Sequence, residues 1–108
     1  MRPHVEVIQE SDYIWHKAEL YGGEGEARER RLSVDEEDGS SSLVVEFLTD
    51  WGRPAGVHHA DTEWYVLEGE MNYGGTVFTA GGYLQAPKGV VADWIKFTKG
   101  TRVLHFRE

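Results

Sequence analysis

The sequence predicts an all-β domain closed as a barrel or jelly roll, and three observations carry that prediction. Thirteen glycines punctuate the 108 residues, leaving few stretches long enough for a helix. The apolar runs between them are short, rich in β-branched and aromatic residues, and bounded by turn residues. Eight to ten such runs follow one another without a convincing helix, an internal repeat or a linker. Closure into a barrel leaves so many short strands without open edges.

In order along the chain, Val5–Ile8 alternates briefly as an edge strand, and Tyr13–Leu20 is aromatic and β-leaning until Tyr21–Gly25 turns it. Residues Glu26–Arg31 interleave both signs of charge, which fits a solvated strand or loop face. Leu32–Val34 closes that strand, and Asp38-Gly39 with the serines after it makes a turn. Leu43–Leu48 is a strand on composition alone. Pro54–His59 and Glu63–Leu67 are read as two further strands around a short loop. Asn72–Gly75 is a turn, Thr76–Thr79 a brief strand, and Gly81-Gly82 leads into Tyr83–Ala86, which Pro87-Lys88-Gly89 ends. Trp94–Phe97 and Arg102–Phe106 alternate around Lys99-Gly100. One domain over residues 1–108 is expected, with 1–26 as an N-terminal arm and 27–107 as the barrel.

Hydrophobic residues make up 40% and charged residues 28% of the chain, the balance of a globular protein. A formal net charge of −8 repels phosphate, so nucleic acid is not expected as a partner. The chain has no cysteine, which removes disulfides, thiolate zinc sites and a cysteine nucleophile together. No apolar run approaches the roughly 18 residues that cross a membrane, and the first residues lack the apolar block of a signal peptide. Neither a membrane partner nor export is expected, so the default location is cytoplasmic. No nucleophile elbow, phosphate loop or dinucleotide fingerprint is present.

The chemistry concentrates between Trp51 and Gly69. That stretch holds His58, His59, Asp61 and Glu63, with Trp51 and Trp64 as aromatic neighbours. Imidazole and carboxylate groups at the mouth of a strand are metal-ligand types, and aromatic rings wall small-molecule pockets.

Gly52–Gly69, followed by Gly82-Tyr83-Leu84-Gln85-Ala86-Pro87-Lys88-Gly89, resembles the paired motifs of the cupin superfamily. The nearest resemblance is to small cupins related to zinc-binding anti-sigma-factor domains and to small-molecule dioxygenases, and it covers about residues 27–107. It implies a double-stranded β-helix, in agreement with the strand count. In the family's register, counted back from Gly69, the metal ligands would stand at Gly56, His58, Thr62 and Ala92, of which His58 alone is a ligand type. A relocated set of His58, Glu63 and His105 would suit iron, manganese or zinc. Glu63 and His59 lie one residue past the expected positions, and in a regular strand that shift turns a side chain to the other face.

Small residues at Gly56 and Ala92 leave room where ligands would have been. The expected pocket there is lined by His58, Thr62, Trp64, Gln85, Trp51 and Trp94, with Asp93 a further polar candidate. The favoured reading is a small-molecule-binding cupin with a degenerate metal site and no cofactor, acting as a sensor, carrier or accessory protein. The alternative is a metal-dependent dioxygenase, isomerase or lyase acting on a small polar or aromatic substrate. In the metal enzyme His58 would be a ligand; a third possibility is a metal-free acid/base enzyme with His58 as the catalytic group, since an unperturbed imidazole titrates near neutrality. The resemblance also implies a homodimer paired through outer strands.

Overall fold

The computed structural model describes residues 14–18, 20, 22–34, 37, 40–57 and 60–108. Twelve strands and no helix occur among the described residues. They are β1 (His16–Lys17), β2 (Ala27–Val34), β3 (Ser41–Phe47), β4 (Trp51–Arg53), β5 (Gly56–Val57) and β6 (Thr62–Glu68). After these come β7 (Met71–Tyr73), β8 (Thr76–Phe78), β9 (Tyr83–Ala86), β10 (Val91–Ala92), β11 (Ile95–Phe97) and β12 (Arg102–Arg107). One sheet runs β1-β2-β3-β12-β6-β9, a second β4-β11-β7-β8, and β5 pairs with β10 apart from both. Every pairing is antiparallel. Among the described residues no helix is long and apolar enough to cross a membrane.

Several expectations meet the structure with changed boundaries. Residues 27–31 of the charged run are strand, the first part of β2. The strand expected over 54–59 begins earlier, at Trp51, and breaks after Arg53, before β5 resumes at Gly56. Pro54 accounts for the break, because a proline nitrogen has no hydrogen to donate to a ladder. Asn72 and Tyr73 belong to β7, and the hairpin turns on Gly74 and Gly75, whose φ values of 58° and 100° suit a tight hairpin loop. The stretches Val5–Ile8 and Asp38-Gly39 lie outside the described residues.

The two larger sheets meet over an aromatic cluster. Phe47 of β3 stacks on Phe97 of β11 with ring centroids 4.2 Å apart. Trp51 leans on both, at 5.5 and 5.8 Å, and Trp64 meets Phe97 at 5.2 Å. Each of these buried side chains contributes on the order of 2–3 kcal/mol by leaving water. At that end of the sheets, Thr101 is fully buried and ties two loops together. Its Oγ1 accepts a hydrogen bond from the Glu70 N–H at 3.0 Å, and its carbonyl accepts the Phe47 N–H at 2.9 Å.

On the outer face of the large sheet, Glu46 sits between two arginines. Arg28 Nε donates to Glu46 Oε1 at 2.7 Å and Arg102 Nε to Oε2 at 2.6 Å. Trp15 stacks over the guanidinium groups of Arg28 and Arg30, each 3.9 Å from the ring centroid. Burial alone would push the Glu46 carboxyl up. The hydrogen bonds and charge of Arg102 and Arg28 outweigh it and hold the group below its ordinary value of 4.5.

Two predictions follow from these contacts. Gly69 has φ +91°, and a Cβ there would lie 2.7 Å from Thr101 Cα. Gly69→Ala should therefore cost about 3 kcal/mol in urea denaturation, against about 1 kcal/mol at Gly75, where φ is also positive but a Cβ meets open space. Glu46→Gln should cost about 1–2 kcal/mol at pH 7. Because the folded-state value is depressed, the Glu46 contribution is complete above the unfolded value and is lost as pH falls through the folded one. The difference between variant and wild type should therefore shrink as pH drops below 4.5.

Candidate functional site

Strand β12 lies between β3 and β6, and its inward side chains set up three rows across the barrel wall. Val103 pairs with Val45 and Val66, all three fully buried. His105 pairs with Leu43 and Trp64, and Trp64 with Leu84. Arg107 pairs with Ser41 and Thr62, and Thr62 with Ala86. The wall thus passes from aliphatic, through a histidine and a tryptophan, to a row with two hydroxyls and a guanidinium. Alternation along each strand enforces this, since every second residue points the same way.

At the polar end of these rows the barrel opens into a cavity of about 560 Å³. Its wall is mostly apolar and includes Leu20, Pro54, Val57, Ala60 and Trp64. Gly56 and Ala92 also belong to it, and they face each other across the β5–β10 pair. A Cβ added at Gly56 would meet no atom within 4 Å, so nothing there fills the place of a side chain.

Four polar side chains reach the cavity: Arg53, Asp93, His105 and Arg107. His105 is 2% exposed and stacks on Trp64, with ring centroids 3.7 Å apart and planes 20° from parallel. Its Nδ1 lies 3.1 Å from the Glu63 carbonyl oxygen. A carbonyl only accepts, so Nδ1 carries the proton and Nε2 holds the lone pair when the ring is neutral. The Trp64 indole Nε1–H is buried and has no hydrogen-bond partner among the described residues. Ser41 Oγ, beside Arg107 in the register, is buried without one as well. Burial lowers the Arg53 guanidinium from its ordinary value, against an opposing contribution from Tyr73. Among the described residues the cavity wall carries two guanidinium groups, Arg53 and Arg107, and one carboxylate, Asp93.

The residues expected to share one pocket are dispersed. Trp64 lines the cavity. Trp51 is buried in the aromatic cluster. Trp94, together with an edge of Trp51, lines an adjoining groove of about 800 Å³ that shares Gly22, Arg53 and Pro54 with the cavity, and Lys96 Nζ lies 5.2 Å from the Trp94 ring centroid there. Thr62 is buried, with its hydroxyl 3.4 Å from the Ala86 carbonyl, and is not part of the cavity wall. Gln85 is exposed, because it pairs with Glu63 on the outer face of β6 and β9. His58 and His59 lie outside the described residues; their sequence neighbours Val57 and Ala60 are both on the cavity wall.

The relocated metal set meets a correction at Glu63. The pairing of β6 with β9 runs without a shift from Thr62 to Tyr65, so no bulge turns Glu63 inward. Its carboxylate accepts the hydrogen bond of the Tyr83 hydroxyl on the outer face. His105 does face the cavity, while Gly56 and Ala92 offer no donor atom. Among the described residues no three histidine, aspartate or glutamate side chains gather closely enough to hold an ion. The described donor set does not fit a metal centre.

Sequence reasoning missed Arg53 and Arg107, while Asp93, a candidate there, does lie on the cavity wall. Arg107 shares the face of His105 two residues earlier, a signal readable once the facing of β12 is known. Asp93 escapes the parity of β10 because residues 93 and 94 lie between strands, and it is anchored there by its N–H donating to the Tyr73 hydroxyl at 2.8 Å.

Over residues 6–108 the chain matches the family described as Domain of unknown function (DUF4437), and it belongs to that family. No curated protein matches it. Among solved structures it is similar to an acetylacetone dioxygenase from Acinetobacter johnsonii, at 13% identity and a TM-score of 0.70, covering 99% of this chain and 74% of that one. It is similar to the polyketide cyclase RemF from Streptomyces resistomycificus, at 19% identity and a TM-score of 0.69, covering 96% and 79%. A third is an RmlC-like cupin from Shewanella frigidimarina, at 18% identity and a TM-score of 0.68, covering 99% and 93%. At these identities the likeness is one of fold, and the fold is the cupin jelly roll.

The His105 tautomer is directly measurable. Two-dimensional 15N NMR of the imidazole at a pH where it is neutral should show a protonated Nδ1 and an unprotonated Nε2. The opposite pattern would remove the bond to the Glu63 carbonyl.

Proposed function

We propose that this cupin is a small-molecule-binding protein with a degenerate metal position, serving as a sensor, carrier or accessory protein. One observation carries the reading. Gly56 and Ala92, at two of the positions where the cupin register puts ligands, face each other in the wall of a cavity of about 560 Å³. That volume falls within the range of ordinary ligand pockets, and its mixture of apolar wall and few polar groups is what such pockets use.

A second reading, a metal-dependent dioxygenase, isomerase or lyase, is favoured by one feature. His105 is buried on the cavity wall with its unprotonated nitrogen at Nε2, and an acetylacetone dioxygenase and a polyketide cyclase share the fold. In that reading His58 and His105 would be ligands, and iron, manganese or zinc would act as Lewis acid or oxygen activator.

Elemental analysis separates the two. Protein expressed with added iron, manganese and zinc and purified without chelator should retain metal far below one ion per chain after dialysis. Near-stoichiometric metal that disappears in His105→Ala would install the enzyme in place of the binding protein.

A further inference from the structure

The alternation that buries Leu43, Val45, Trp64, Val66 and Val103 turns the residues between them onto the outer face of the large sheet. When one face of an antiparallel sheet is core, the other is ordinarily polar. Here a cross-strand row reads Arg30–Val44–Leu104–Tyr65–Tyr83 from β2 to β9, apolar or aromatic after its first member. Tyr65, Tyr83 and Leu67 are exposed, and Phe106 adds a half-buried ring on β12. The neighbouring row reads Arg28–Glu46–Arg102–Glu68 across β2, β3, β12 and β6, alternating in sign. Trp15 lies over Arg28 and Arg30 on the β2 side. Even so, the Arg28 and Arg102 side chains keep 35% and 31% exposure, and Glu68 keeps 62%.

Both rows are complementary to themselves. A two-fold axis lying along the strands, between β3 and β12, carries β2 over β6 of a second copy and β3 over its β12. The order plus, minus, plus, minus then meets its own reverse. Arg28 faces Glu68 of the second copy, and Glu46 faces its Arg102. In the other row Val44 falls on Leu104 of the second copy, and Arg30 falls on its Tyr65 ring as a cation over an aromatic face. An unrelated partner would match this pattern only by coincidence, whereas a second copy carries the match already.

The area suits a reversible contact. Five strands about 4.8 Å apart, each giving about six residues at about 3.4 Å, make a face of roughly 24 by 20 Å, or about 1,000 Å² for two copies. That is about the lower limit for a specific interface. We propose that the outer face of the large sheet pairs two copies of this chain face to face about that axis. No residue of the cavity wall belongs to this face, so the pairing stands apart from what the cavity binds.

Sedimentation equilibrium of the full chain, from about 1 to 200 μM, tests the pairing. The mass should rise from 12.3 kDa toward twice that value, with a dissociation constant in the micromolar range. Tyr65→Lys, at an exposed position, should raise that constant about tenfold or more and leave the far-ultraviolet circular dichroism unchanged. Glu68→Lys sets a cation opposite Arg28 of the second copy and should weaken pairing about tenfold at low salt, by less at high salt. Val77→Lys on β8 and Val91→Lys on β10 change exposed apolar residues away from this face and should leave the constant as it is. A chain that stays monomeric throughout overturns the proposal, whether water or residues 1–13 then cover the face. A dimer indifferent to Tyr65→Lys, or one lost in Val77→Lys or Val91→Lys instead, overturns it as well.

Discussion

The arrangement of the cavity depends on the registration of one strand. β12 is hydrogen-bonded to β3 on one side and β6 on the other, and its odd-numbered residues supply one member of each inward row. A slip by one residue would exchange Val103, His105 and Arg107 for Arg102, Leu104 and Phe106, placing a buried charge where the aliphatic row now stands. Both neighbours oppose that slip. The Val45–Val103–Val66 row is fully buried, and outside it Arg102 is clamped by Glu46 and approached by Glu68 at 3.2 Å. The one irregularity falls between Arg102 and Val103, where β6 carries an extra residue, Leu67. From Val66 back to Thr62 the pairing is continuous, so the wall is built beyond the bulge and is untouched by it.

The barrel is unlike at its two ends. Phe47, Phe97, Trp51 and Met71 close one end with aromatic and aliphatic side chains, and Thr101 satisfies the loop backbone that would otherwise be buried unpaired. That end bears the hydrophobic stabilisation. The other end holds His105, Arg107, Ser41 and Thr62 on its rows and loses side chains at Gly56 and Ala92. Polar side chains are tolerated there because the cavity is open to ligand or water, whereas in the aromatic cluster each would cost free energy with no partner in reach.

The His105–Trp64 pair joins the two halves. Trp64 touches Phe97 on the closed side and His105 on the open side. The Glu63 carbonyl fixes the imidazole, so the face that Glu63 presents inward is backbone while its carboxylate serves Tyr83 outside. One residue therefore supports the site through its main chain and contributes nothing to it through its side chain.

The all-β class, a succession of short strands (eight to ten expected, twelve found among the described residues) and the inward facing of Trp64 were legible in the sequence, because glycine spacing and two-residue alternation are local properties. So was the presence of small residues, Gly56 and Ala92, at positions where the resemblance puts ligands; that they pair is a finding of the structure. The tertiary structure alone decided which aromatic rings share a space. Trp64 on β6 ends on the cavity wall, whereas Trp51 on β4 is buried in the aromatic cluster with an edge on the groove that Trp94, between β10 and β11, also lines. It also decided that Glu63 faces out, that Gln85 faces out with it, and that Arg53, Asp93 and Arg107 face the cavity. The facing of a strand depends on partners far along the chain, and the break at Pro54 and the gap after Ala92 reset parity where no periodic pattern could carry it across.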